Sequence, residues 1–125
     1  MYEFLDVEAA LVAVVKSLVR VSASTQVPNP VPAEHVQVTR VGGTADGFTD
    51  EPMVQFVVRA AGWPAAASLA ALTRRRVTSV SRFGDVPVYR CREIAGLSRS
   101  PDPVSGDPRY LFTVAYKLRG QEASD

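Results

Sequence analysis

Tyr110, Phe112, Val114, Tyr116 and Leu118 recur at every second position near the end of the chain, with Thr113 and Lys117 between them and Arg119 after them. A period of two places these sets on opposite faces of a β-strand. Five large side chains on one face need an apolar layer over them, so residues 109–120 (RYLFTVAYKLRG) commit the chain to a sheet with one packed face. The chain has 125 residues and 46% apolar content, enough for one domain with a core of its own.

Other segments supply partners for that strand. Residues 35–41 (HVQVTRV) alternate apolar and polar, and residues 52–62 (PMVQFVVRAAG) are rich in β-branched and aromatic side chains. Residues 83–94 (FGDVPVYRCREI) read as a third strand, with Gly84 and Asp85 as its turn and Pro87 marking an edge or an early position. A first helix is predicted after Asp6, whose carboxylate suits free first-turn amides. Val7, Leu11, Val14, Leu18 and Val21 make its stripe, which leaves Val12 and Val19 as candidate subunit contacts. A second helix starts at Gly62-Trp63-Pro64, where proline suits the first turn. Leu69 and Leu72 anchor it with Ala65 on the same face. Arg74, Arg75 and Arg76 close it against the negative dipole end, with Arg76 snorkelling from the apolar stripe, and are further candidate subunit or partner contacts.

Residues 26–34 hold Pro28, Pro30 and Pro32 and read as a stiff extended connector, while residues 121–125 read as a loose tail. The expectation is one α+β domain over residues 1–125, in the order α-β-β-α-β-β. Its sheet is expected to be four-stranded and mainly antiparallel, with both helices on one face.

Two polar segments are candidate recognition loops. Residues 40–52 (RVGGTADGFTDEP) join the first two strands. A phosphate cradle needs a helix after the glycines, and usually a lysine; here a strand follows and no lysine is present. The spacing is not that of a calcium loop either. Chain reversal or partner contact is the better reading, with Arg40, Gly42, Gly43, Thr44, Asp46, Phe48 and Asp50 as candidates. Residues 96–109 (GLSRSPDPVSGDPR) form the second segment, with Asp102, Asp107 and Arg109 as candidates.

Catalytic chemistry is thinly supplied. His35 is the one histidine and reads as a surface or capping residue at a strand start. Cys91 is the one cysteine, so no internal disulfide forms, and a reducing cytoplasm is the expected setting. No catalytic residue, metal site or cofactor is expected. The formal charge of +1, from 14 basic and 13 acidic residues, does not mark a nucleic-acid binder. The apolar start is interrupted by Glu8, Lys16 and Arg20, so neither a secretory nor a membrane segment is expected.

The ordered set of motifs resembles the tail terminator (tail-to-head joining) proteins of long-tailed bacteriophages. Arg40, Gly42 and Gly43 match an Arg-x-Gly-Gly strand end; Asp50 and Pro52 match an Asp-x-Pro lead-in to the next strand. Residues 65–72 match an Ala/Leu-rich helix, and Asp102, Pro103, Pro108, Arg109 and Tyr110 match the lead-in to the last strand. The resemblance spans about residues 28–120. It implies a structural virion protein of the tail or neck, assembled in the host bacterial cytoplasm as a homo-hexameric ring. Such a ring caps the tail tube, stops its growth and joins it to the head-tail connector or stopper protein. DNA passes through the lumen without specific contact; no cofactor, enzyme activity or membrane is implied. The alternatives are another neck ring (head completion or stopper) and a small non-viral protein-binding adaptor.

Overall fold

The computed structural model describes residues 2–122. Its elements, in chain order, begin with β1 (Tyr2–Glu3), then α1 (Val7–Val14), which runs on into a π-helical turn (Val15–Val19). After these come β2 (Ser22–Ser24), β3 (His35–Ala45), β4 (Thr49–Arg59) and α2 (Trp63–Thr78). β5 (Arg82–Phe83), β6 (Val86–Arg99), β7 (Arg109–Arg119) and β8 (Gln121–Glu122) complete the order. One six-stranded sheet runs β2-β3-β4-β7-β6-β5; β2 is parallel to β3 and the other ladders are antiparallel. The sheet curls into a half-barrel, and β1 pairs separately with β8.

This corrects the expected four-stranded, mainly antiparallel sheet and the α-β-β-α-β-β order. β2 has three residues and β5 has two, too short for alternation to register; each exists because a longer strand offers it a ladder. Gln121 and Glu122, expected to be loose, pair with β1, while residues 123–125 lie outside the described residues.

The packed face runs through Val36 and Val38 of β3, Val54, Phe56 and Val58 of β4, and Phe112, Val114, Tyr116 and Leu118 of β7, all buried. The Phe56 and Phe112 rings stack, with centroids 4.9 Å apart and planes 12° from parallel. Tyr116 enters this apolar layer because its hydroxyl donates to the Val77 carbonyl of α2 at 2.7 Å.

Both helices meet the sheet through stripes other than those predicted. On α1, Asp6 caps as expected, its carboxylate accepting from the Ala9 amide at 3.1 Å. Val7, Leu11, Val15 and Val19 are the buried residues, while Leu18 is 52% exposed. The wide turn is the cause: the Arg20 amide reaches back five residues to the Val15 carbonyl, and the last turn is rephased. Val19 therefore packs in the chain's own core, and Val12 is half-buried against it. On α2, Ala66, Leu69, Ala70, Thr73 and Val77 are buried, whereas Ala65 and Arg76 are exposed. The small alanines let the helix lie close to the sheet, so Arg76 stands in solvent rather than snorkelling.

The predicted loop at residues 40–50 is mostly ladder. β3 and β4 pair as far as Ala45↔Asp50, leaving residues 46–48 as the turn. The Asp46 carboxylate accepts from the Phe48 and Thr49 amides and from the Thr49 hydroxyl, which holds it below the usual carboxylate range. Val41 forms a bulge between Arg40 and Gly42. Gly43 has φ +101°, and a Cβ there would lie 2.1 Å from the Glu51 carbonyl oxygen, so only glycine fits. Likewise β6 extends to Arg99, so the second loop shortens to residues 100–108.

Candidate functional site

The segments predicted to carry recognition are held rigidly, by side chains at opposite ends of the sheet. At the hairpin end, Arg40 grips Asp50 through two hydrogen bonds of 2.8 Å. Asp50 is buried, and this two-pronged pairing compensates its lost hydration. The Arg40 amide donates to Glu8 of α1 at 2.9 Å, tying the outer side of β3 to the helix.

At the other end the organising residue is Arg59, which the sequence reading did not single out. It ends β4, is buried, and donates to Asp102 at 2.9 Å and Asp107 at 3.0 Å. Asp102 also accepts from the Val104 and Ser105 amides. Those bonds, led by Arg59, hold its carboxyl far below the usual range. The Arg109 side chain donates to the Ser100 carbonyl at 2.8 Å and lies 4.0 Å from Asp102. Asp102, Asp107 and Arg109 therefore come together as clamps of the loop, although the Asp107 side chain stays 48% exposed. What the loop presents is Val104, 95% exposed at its tip.

His35 stands across from Arg59 in the β3–β4 ladder and is buried, not a surface residue as expected. Its Nδ1 lies 2.8 Å from the Ser22 hydroxyl and its Nε2 lies 3.0 Å from the Ser24 hydroxyl. Ser24 donates its proton to the Gln26 carbonyl, so it accepts from His35 Nε2–H, and Nδ1 accepts from Ser22. A neutral ring fastens β2 to β3. Burial, and then the Arg59 charge, lower its pKa. With Nε2–H directed to a serine and a cation beside it, the ring is a poor base for activating Ser22.

A pH prediction follows, since this is the chain's one histidine. A depressed histidine pKa means that the unfolded chain takes up the proton first as pH falls. Stability is expected to be full above the ordinary value of 6.5 and to decline below it, toward the lowered folded value. Urea unfolding at about pH 7.5 and about pH 5.5 measures the decline, and His35→Gln is expected to flatten it.

The arginines closing α2 diverge. Arg74 donates to Glu93 of β6 at 2.9 Å, while Arg75 and Arg76 have no ion pair among the described residues. Arg74, Arg75, Thr78, Cys91 and Glu93 line an open groove of about 270 Å³. Burial pushes the Cys91 thiol up to about 11, which keeps it protonated and unreactive. A second groove, of about 420 Å³, runs between α1 and the β5–β6 turn, lined by Leu5, Ala10, Ala13, Val14, Phe83 and the Arg82 side chain among others.

Among the described residues, no three His, Cys, Asp or Glu side chains group as metal ligands, and no helix is long and apolar enough to cross a membrane. The chain matches no protein-family model and no curated protein.

Proposed function

We propose that the chain is a structural ring protein of a bacteriophage tail, a homo-hexamer that caps the tail tube, stops its growth and joins it to the head-side connector. The motifs at Arg40–Gly43, Asp50–Pro52 and Asp102–Tyr110 suggest the family. The observation that carries the reading is the unfinished sheet. β5 covers only Val86 and Pro87 of the 14-residue β6, and β2 covers only residues 35–37 of β3. Most of β6 thus presents an uncovered edge, as does the part of β3 beyond residue 37 apart from the Arg40 amide, which Glu8 of α1 takes. Such edges invite pairing with another chain, and a half-barrel bounded by them is continued by a further copy. A head-to-tail contact of this kind closes into a ring at the right rotation.

In this role the Arg40–Asp50 and Arg59–Asp102/Asp107 clamps keep the two ends of the subunit preformed for the tube and the connector. DNA passing through the lumen needs no specific contact. Electron microscopy of the chain mixed with its tube protein is the direct test. Six-fold rings at the tube ends, with tube growth arrested, are expected. Ala95 is exposed on the uncovered part of β6, and a lysine there opposes edge pairing. Ala95→Lys is expected to fold normally and to need at least about tenfold more protein for ring formation. Tubes of unchanged length with bare ends would sink the reading.

A further inference from the structure

Val104 is the most exposed large apolar side chain among the described residues, at 95%. It does not sit on a floppy loop. Arg59 holds Asp102 and Asp107 on either side of it, Asp102 takes the Val104 and Ser105 amides, and the Asp107 amide donates to the Ser105 hydroxyl. The Gly106 amide closes the turn on the Asp102 carbonyl at 2.8 Å. A loop fixed in advance loses little conformational freedom when it docks, so an apolar tip held this way is built as a contact.

The same chain carries a matching receptor. The groove between α1 and the β5–β6 turn has a floor of small side chains, Ala10 and Ala13, with Leu5, Val14 and Phe83 as apolar walls. Arg82 stands on its rim without an ion pair among the described residues. The Asp107 side chain beside the knob is 48% exposed, with only Oδ2 engaged by Arg59. Knob and groove are therefore complementary in charge as well as in polarity.

One molecule cannot join its own pair. The turn that walls the groove begins β6, and the loop follows the end of β6, 14 residues on. β6 bulges, and from Val88 to Arg99 it lies against residues 118 to 110 of β7, so at about 3.3 Å per residue the two stand roughly 26 Å apart.

We propose that Val104 of one copy docks in the α1/β5–β6 groove of the next, with Asp107 meeting Arg82. The contact deepens the ring reading and rests on it. Strands of a closed barrel tilt and stagger, so a copy joined along the sheet edge is also displaced along the strand. The proposed contact requires that this displacement carry the loop at the end of β6 toward the helix flanking the neighbour's β3.

Complementary variants test it by light scattering. Val104→Asp alters a solvent-exposed tip, and Ala13→Glu places a charge in the groove from an exposed helix position, so both are expected to fold. Each alone is expected to raise the concentration for half-assembly at least about tenfold. Mixed in equal amounts, they leave one intact knob facing one intact groove. The mixture is therefore expected to give a species of twice 13.5 kDa and nothing larger. Wild-type assembly unchanged in both variants overturns the contact while leaving the ring to the Ala95→Lys experiment. A mixture that stays as monomeric as its components overturns it too, as does a wild-type chain that never self-associates.

Discussion

Phe112→Ala is expected to cost about 3–5 kcal/mol of folding stability, the range for emptying a buried phenylalanine site. Phe112 is fully buried at the centre of β7, stacked on Phe56, with β4 and β6 pairing on either side. The surrounding strands are held by long ladders and cannot collapse into the space. A domain of this size has only about 5–15 kcal/mol in total, so the variant is expected to lie near its unfolding midpoint under mild denaturant. Urea titration measures the loss, with an unchanged slope showing that only stability has moved. A loss below about 1 kcal/mol would mean that the sheet face is not the single packed core described.

Arg59→Met is expected to cost about 2 kcal/mol and to release the loop at residues 100–108. Deleting one partner of a buried ion pair costs about 3–5 kcal/mol when the other is stranded. Here the loop can open and rehydrate Asp107, already 48% exposed, so the smaller figure applies. The specific signature is local. The Val104, Ser105 and Asp107 amides are expected to exchange with solvent at least about tenfold faster, while core amides of β4 and β7 speed up by no more than the loss of global stability requires. The Asp102 carboxyl, which Arg59 holds far below its ordinary 3.8, is expected to titrate higher in the variant. The sign follows from linkage: a depressed carboxyl pKa stabilises above 3.8 and loses that contribution as pH falls through the folded value. Unchanged amide exchange in the loop would show that Arg59 is not its clamp.

Alternation identified β7 correctly because a half-buried strand writes its two faces into neighbouring residues. The same logic failed over residues 40–50. Gly42, Gly43, Thr44 and Asp46 have turn composition, yet the ladder continues through all but the last of them. It continues because Arg40 neutralises buried Asp50 and because Gly43 lets the two backbones approach. Neither pairing is visible until the strands are side by side. The helix phases failed for a different reason. Ala65 and Ala66 carry the same side chain, so composition could not say which one faces the sheet. The π-helical turn has no residue signature in VKSLV.

The candidate contacts divide in the same way. Asp102, Asp107 and Arg109 were legible as a polar turn, and the fold does bring them together. Arg59, which unites them, was not singled out by any local pattern, and His35 looked like a surface cap. Both are buried because distant segments, β2 and the loop before β7, close over them.

Local residue order was enough to establish a strongly one-faced final strand, a capped first helix and an alanine-rich second one. Sheet membership, helix phase, the burial of Arg59 and His35, the exposure of Val104 and the groove beside α1 came from assembly. Propensity and periodicity act over a few neighbouring residues. An edge, a clamp or a groove exists only where surfaces far apart in the chain are brought into contact.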